Sequence, residues 1–295
     1  MNVPSPSRTA EYMALFRALE TVQPADKRLV ADPFAAGFLG LSLKLAFYLA
    51  RIPYVGGGIP KYIDHRWPGA RTSGVARTRL IDDFVMESFG QGLAQFVILG
   101  AGFDARTYRL SFPQLTRIFE VDQPGTLRAK ARIMRRRLGA LPPSVAFVEL
   151  DFIREELGPL LQQAGFRHRQ PALFLWEGVT NYLTEEAVDA TLRWIGSAAP
   201  PSELIFTFVD KAVLSDAAQF NGKEQLRRTL AGAGEHWTFG LEPSDLRHYL
   251  SLRGLDLIDD LGAAEYRTRY LGTPGAGYEF YHVARARVTG AGATR

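Results

Sequence analysis

Gln95–Leu110, QFVILGAGFDARTYRL, and the segment after it, Arg117–Pro124, RIFEVDQP, decide how this chain folds. Phe96–Leu99 is an apolar run that stops at two glycines, Gly100 and Gly102, before a helix-compatible stretch. A second run, Arg117–Val121, stops at an acid, Asp122. Strand, glycine turn, helix and a second strand tipped with a carboxylate form the unit that holds an adenosine moiety. The glycines let backbone approach a ligand closely, and Asp122 is placed to accept both ribose hydroxyls.

Gly100-Ala101-Gly102-Phe103-Asp104-Ala105 also fits, loosely, the dinucleotide fingerprint with its permitted final alanine. Asp104 weighs against that ligand, because it sets a negative charge at the helix N-terminus where a pyrophosphate would sit. A cationic sulfonium without phosphate tolerates an acid there, so S-adenosylmethionine (SAM) is the expected ligand and a dinucleotide the alternative.

Periodicity extends this unit in both directions. Thr9–Leu19, Ala35–Arg51 and Val75–Phe89 are predicted helices, interrupted at Asp32-Pro33, Gly56–Pro60 and Trp67–Gly69. Strands are predicted at Gln95–Leu99, Arg117–Val121, Val145–Leu150, Ala172–Glu177, Glu203–Val209, Leu255–Leu261 and Glu279–Ala286. Helices fit between them at Asp104–Leu110, Gly125–Leu138, Ile153–Ala164, Glu185–Gly196 and Pro243–Leu252. Such alternation implies an α/β fold with a doubly wound, mostly parallel sheet. Residues 1–90 then form an N-terminal helical cap, 91–288 a Rossmann-like domain with an acceptor-pocket insertion near 211–240, and 289–295 a disordered tail.

Ligands of these sheets bind at the carboxyl ends of the strands, so the strand-end residues are the candidates. Asp151 suits the adenine amino group, Phe152 offers a backbone N–H and an apolar ring face, and Glu177 suits the ammonium of a methionine moiety. Helix N-capping is the competing role for each acid.

Composition excludes several classes. The 295 residues are 46% hydrophobic and 22% charged, with a net charge of +4, as in an ordinary soluble domain. There is no cysteine, which removes disulfides and thiolate metal sites and fits a cytoplasmic protein. The five histidines lack metal-ligand spacing, so no metal is expected. The basic run Arg128–Arg137 has no interleaved aromatics and reads as a solvated helix face, so no nucleic-acid partner is expected. Leu39–Val55 is strongly apolar but carries Lys44 and Arg51 and meets Pro53; it reads as a buried cap helix, with a membrane-surface helix as the lesser alternative and no membrane partner expected. The N-terminus shows no secretory signal.

DPFAAGFL (Asp32–Leu39), VARTRLIDDFV (Val75–Val85), FEVDQPGTLRAKARI (Phe119–Ile133), FVELDF (Phe147–Phe152), WEGVTNYLTEEAV (Trp176–Val188), FGLEPSDLRHYL (Phe239–Leu250) and DLGAAEYRTRYLG (Asp260–Gly272) occur in order around the glycine turn. In these motifs the chain resembles the leucine carboxyl methyltransferase family, including its bacterial small-molecule members. That resemblance implies a class I SAM-dependent methyltransferase fold with seven strands and an N-terminal cap. It also implies SAM contacts at Arg77, Gly100, Asp122, Asp151, Phe152 and Glu177, with Gly102 in the same turn, S-adenosylhomocysteine as product and Tyr182 near the methyl-transfer site. Arg77 and Arg79 lie two apart and point in different directions on one helix, so only one is expected to meet the SAM carboxylate, and Arg77 is the preferred one.

A carboxylate acceptor is ionised at neutral pH and needs no general base, whereas a phenol or alcohol does. No histidine falls in a strand-end loop; His236 lies in the insertion and reads as an exposed loop residue. The expected reaction is therefore O-methylation of a small apolar or aromatic carboxylic acid, in a pocket lined by Tyr12, Phe16, Phe220 and Trp237. A protein C-terminal carboxylate and a hydroxyl acceptor are the alternatives, and a monomer or homodimer is expected.

Overall fold

The computed structural model describes residues 8–52, 56–215 and 219–289. Five N-terminal turns and helices precede the sheet: α1 (Arg8–Thr21), a 3₁₀ turn (Ala35–Phe38), α2 (Leu41–Ala50), α3 (Gly58–Arg66) and α4 (Ala70–Gly90). The strands are β1 (Gln95–Leu99), β2 (Arg117–Asp122), β3 (Val145–Glu149), β4 (Ala172–Trp176), β5 (Glu203–Val209), β6 (Leu255–Gly262) and β7 (Tyr281–Val288). Between them lie α5 (Arg106–Arg109), α6 (Pro124–Leu138), α7 (Leu157–Gln163), α8 (Glu185–Gly196), α9 (Lys223–Ala233), α10 (Leu246–Ser251) and α11 (Ala263–Leu271).

One seven-stranded sheet runs in the order β3-β2-β1-β4-β5-β7-β6. The pairs from β3 through β5 are parallel, and β7 is antiparallel to both of its neighbours. Every residue of β1, β4 and β5 is buried, which is why these strands read as continuous apolar runs rather than alternating ones. Phe96, Ile98 and Leu175 pack against Leu80 and Phe84 of α4 and Tyr266 of α11. Val97, Phe174 and Phe206, on the other face, pack against Leu161, Leu192 and Leu250 of α7, α8 and α10. Each such side chain contributes roughly 1.5–3 kcal/mol when fully buried.

β1 pairs with β2 on one side and β4 on the other, so the strand order reverses beside β1, and a crevice opens at its carboxyl end.

Several expectations shift. Ala35–Arg51 is not one helix, because Gly40 is extended (φ −66°, ψ 167°) and separates a 3₁₀ turn from α2. Gly56–Pro60 is less a break than the start of α3, whose first turn accommodates Pro60. α7 begins only at Leu157, since Asp151 closes a turn by accepting the backbone N–H groups of Arg154 and Glu155 on its carbonyl, both at 3.0 Å. β7 starts at Tyr281, because a turn bonds Tyr281 N to Tyr278 O at 3.0 Å. The expected solvated face of the basic helix holds for Arg128 but not for Lys130, which is buried and paired with buried Glu120 at 2.9 Å. The expected burial of Leu39–Val55 fails on one side of α2: Phe47 is buried, yet Leu41 is 90% and Leu45 60% exposed. Pro53 and the tail from 290 to 295 lie outside the described residues.

Candidate active site

The turn after β1 is set by close approach. Gly100 has φ +67°, and a Cβ there would sit 2.2 Å from Cγ2 of Val179 in the loop after β4. Gly102 (φ +35°) donates its backbone N–H to Asp122 Oδ2 at 2.6 Å, and Gln123 N–H donates to Asp122 Oδ1 at 2.6 Å. The acid at the tip of β2 therefore fixes the glycine turn before any ligand arrives. Burial pushes the Asp122 carboxyl above its ordinary value, against the pull of those two N–H groups and of Lys130.

The turn is also held from above. Arg17 of α1 donates to the Phe103 carbonyl at 2.6 Å and pairs with Asp32 at 2.9 Å. Asp32 in turn accepts the backbone N–H groups of Phe34 and Ala35 at 3.0 Å each. Asp-Pro-Phe thus orients an arginine onto the ligand turn, a role its sequence alone did not reveal.

Beneath the turn lies a buried cluster of three arginines and three carboxylates. Arg106 bonds Asp104 (2.5 Å), Asp82 (2.7 Å) and Glu177 (2.7 Å); Arg77 bonds Glu177 (2.9 Å); Arg109 bonds both oxygens of Asp82 (2.6 and 2.7 Å). Burial raises the Glu177 carboxyl, but the charges of Arg106 and then Arg77 outweigh it and hold it below the ordinary value. The same contest, won by Arg106, holds Asp104 far below the usual carboxylate range. Asp104 is therefore not the bare negative charge of the sequence reading; Arg106 two residues on compensates it.

Arg77 faces the cavity, with its guanidinium 4.4 Å from the centre of the Tyr281 ring. Arg79 points away and pairs with Asp83 at 2.9 Å in an exposed i,i+4 contact. Asp151 stands in the turn after β3, accepting Ile153 N–H at 3.0 Å. Phe152 lies nearly parallel to Trp176, centroids 6.2 Å apart. Gly100, Gly102, Asp122, Asp151, Phe152 and Glu177 all line one cavity of about 750 Å³.

That cavity continues under the N-terminal helices. Tyr12 and Phe16 of α1, Tyr182, Trp237 and Tyr278 line its far half. Phe220 does not; its ring packs against Phe280 at 5.6 Å. His236 is exposed and outside the cavity. Glu235, which sequence reasoning passed over, lines the wall and accepts Tyr182 Oη (3.0 Å) and Thr9 Oγ1 (2.6 Å). Burial pushes the Tyr182 phenol well above its ordinary value, so it stays a neutral donor. Tyr278 holds a left-handed backbone (φ 64°) between Gly277 and the start of β7, a conformation costly for a bulky residue.

Among the described residues no His, Cys, Asp and Glu cluster is arranged to hold a metal ion, and no helix is long and apolar enough to cross a membrane.

Residues 10–196 match the model of the leucine carboxyl methyltransferase family. The chain belongs to that family. Within reach of it, a protein of Mycobacterium avium (strain 104), provisionally named an S-adenosyl-L-methionine-dependent methyltransferase, is 35% identical over 211 residues, 70% of this chain and 68% of the relative. A protein of Mycobacterium sp. (strain KMS) with the same provisional name is 36% identical over 174 residues, which is 58% of this chain. The match spans about half, 54%, of that relative's length. The fold of the chain is similar to that of a crystal structure from Thermobifida fusca YX, provisionally described as a methyltransferase: TM-score 0.61 at 18% identity, covering 97% of this chain and 96% of that one.

Proposed function

We propose that this chain transfers the methyl group of SAM to a small apolar acceptor. One observation carries the reading: Asp122 at the tip of β2 grips the Gly100–Gly102 turn at the switch point and lines the same cavity as an aromatic chamber under α1. Asp122 supplies ribose acceptors, Asp151 and Phe152 an adenine edge and face, and Arg77 a partner for the methionine carboxylate. Glu177, already clamped by two arginines, retains lone pairs for the ammonium. Membership of the family supports this assignment of residues to SAM.

Methyl transfer from a sulfonium is a displacement in line, so the protein's part is to align donor and acceptor and exclude water. A carboxylate acceptor needs only donors to aim its oxygen, and Tyr182 and Arg77 are the groups we assign to that. Among the described residues that line the cavity there is no histidine, which favours an acceptor that needs no imidazole base, such as a carboxylate. A second reading rests on Glu235: a carboxylate beside Tyr182 repels an anionic acceptor and suits a hydroxyl whose proton it can take. Base-labile methyl esters from small carboxylic acids support the first, stable ethers lost in Glu235→Gln the second, and esters formed only on tail peptides a protein substrate.

Calorimetric titration with SAM tests the donor site. Asp122→Ala removes a charged acceptor of the ribose, so affinity should fall by about 2–3 kcal/mol, roughly 30- to 150-fold. Affinity within about threefold of the parent chain overturns the assignment.

A further inference from the structure

α2 is apolar on two sides. Leu43, Phe47 and Ala50 turn inward onto the cluster formed with α1 and the 3₁₀ turn. Leu41, Leu45, Tyr48, Leu49 and Ile52 are all exposed, and their spacing of four, three, one and three residues aligns them in a single outward stripe. A helix that is apolar all round is ordinarily buried on all sides, and scattered single exposures do not form a stripe of this kind.

Charge indicates what this stripe suits. No acidic residue occurs between Asp32 and Asp64, while Lys44, Arg51 and Lys61 do. α3, packed beside α2, adds exposed Tyr62 (62%), Lys61 and Arg66. Its Asp64 is occupied by Arg71, at 2.6 Å. Glu11 of α1, against Gly40 at the start of α2, is one acid beside Lys44 and Arg51, so a second copy meeting this stripe about a two-fold axis would still bring an excess of cations face to face. An apolar stripe flanked by lysine and arginine, with an aromatic at its border, fits the interface of an anionic bilayer.

We propose that the α2–α3 face docks onto an anionic lipid surface, with α2 lying in the interfacial plane. This surface is independent of the methyl-transfer reading, and its binding is measured without any methyl donor.

The experiment is co-sedimentation of the full chain with sucrose-loaded vesicles, either phosphatidylcholine alone or phosphatidylcholine with about one third phosphatidylglycerol. Two variants accompany it: L45S/L49S and K44Q/R51Q. All four positions lie outside the cavity lining, so an unchanged melting curve and unchanged SAM titration confirm that each variant is folded. The parent chain should bind the anionic vesicles and release them as salt rises. K44Q/R51Q should bind about thirtyfold more weakly, since each cation near such a surface is worth about fivefold. L45S/L49S should lose about tenfold or more through lost apolar burial. Absence of binding to anionic vesicles overturns the proposal, as does binding that both folded variants retain. Self-association in the ultracentrifuge that L45S/L49S abolishes, without vesicle binding, overturns it in favour of a second copy.

Discussion

Arg106→Met tests whether the buried charge cluster holds the ligand turn. The substitution keeps an apolar stem and deletes one guanidinium that bonds three carboxylates. Their fates differ. Asp82 keeps two bonds from Arg109, and Glu177 keeps Arg77. Asp104 keeps only the backbone N–H of residue 106, at 2.7 Å. One carboxylate in three thus loses its only ion pair, with the charges of Lys130 and Arg109 still acting on it from farther away. Stripping the partner from a buried ion costs about 3–5 kcal/mol, and two compensated carboxylates add little beyond that. The expected loss is about 4 kcal/mol, a large part of the roughly 5–15 kcal/mol that a domain possesses. At about 2 °C per kcal/mol for a chain of this size, the melting temperature should drop by about 8 °C. Urea unfolding followed by tryptophan fluorescence reads the loss directly. If Asp104 is the group left exposed to the penalty, adding Asp104→Asn to Arg106→Met should restore about 1–3 kcal/mol, a coupling of the size seen between residues in contact. A single variant that costs under about 1 kcal/mol, or a double variant no better than the single, refutes the reasoning.

Arg77→Ala should weaken SAM by about tenfold or more, whereas Arg79→Ala, which breaks an exposed pair worth about 0.3–0.5 kcal/mol and an exposed bond to the Leu29 carbonyl, both outside the cavity, should stay within about twofold; equal losses in calorimetry would reverse the choice between them. Acid should act in two ways. Glu177 and Asp104 have folded-state pKa values below their ordinary ones, so their contribution to stability is complete above the ordinary carboxylate range and is lost as pH falls through the lower folded values. Asp122 has the opposite sign: its value is raised above 3.8, so it loses its charge first, and SAM affinity should fall about tenfold per pH unit below that raised value while the fold persists. Affinity that stays constant until the protein unfolds would show that Asp122 does not carry the ribose.

The sheet was legible because β1, β4 and β5 are buried on both faces and their apolar runs admit few other readings. The ends of those strands named residues that the structure gathers around one cavity, since a doubly wound topology leaves a ligand few other places. What joins those ends was not legible. Arg106 meets Glu177 across 71 residues and Asp82 across 24, and no local pattern encodes such a meeting. Glu235 was hidden just past α9, in the long connection between β5 and β6, where no strand end marks the ligand side. α3 was missed because three glycines read as a break, although glycine and proline are tolerated in the first turn of a helix. For α2 the periodicity was read correctly as helix, but an apolar helix was equated with a buried one. Its inward face is built from Leu43, Phe47 and Ala50, and Leu41, Leu45 and Leu49 stay exposed on the other side.

Arg17 divides the N-terminal helices into two kinds. Because it bonds both Asp32 and the Phe103 carbonyl, α1 is stapled to the glycine turn after β1, and cannot swing aside without disturbing that turn. Among the described residues, α2 and α3 carry no such staple to that turn. A displacement of α2 or α3 would therefore leave the Arg17 contact to the Phe103 carbonyl unbroken, whereas α1 is also tied to the chain beyond α9 through Thr9 and Glu235.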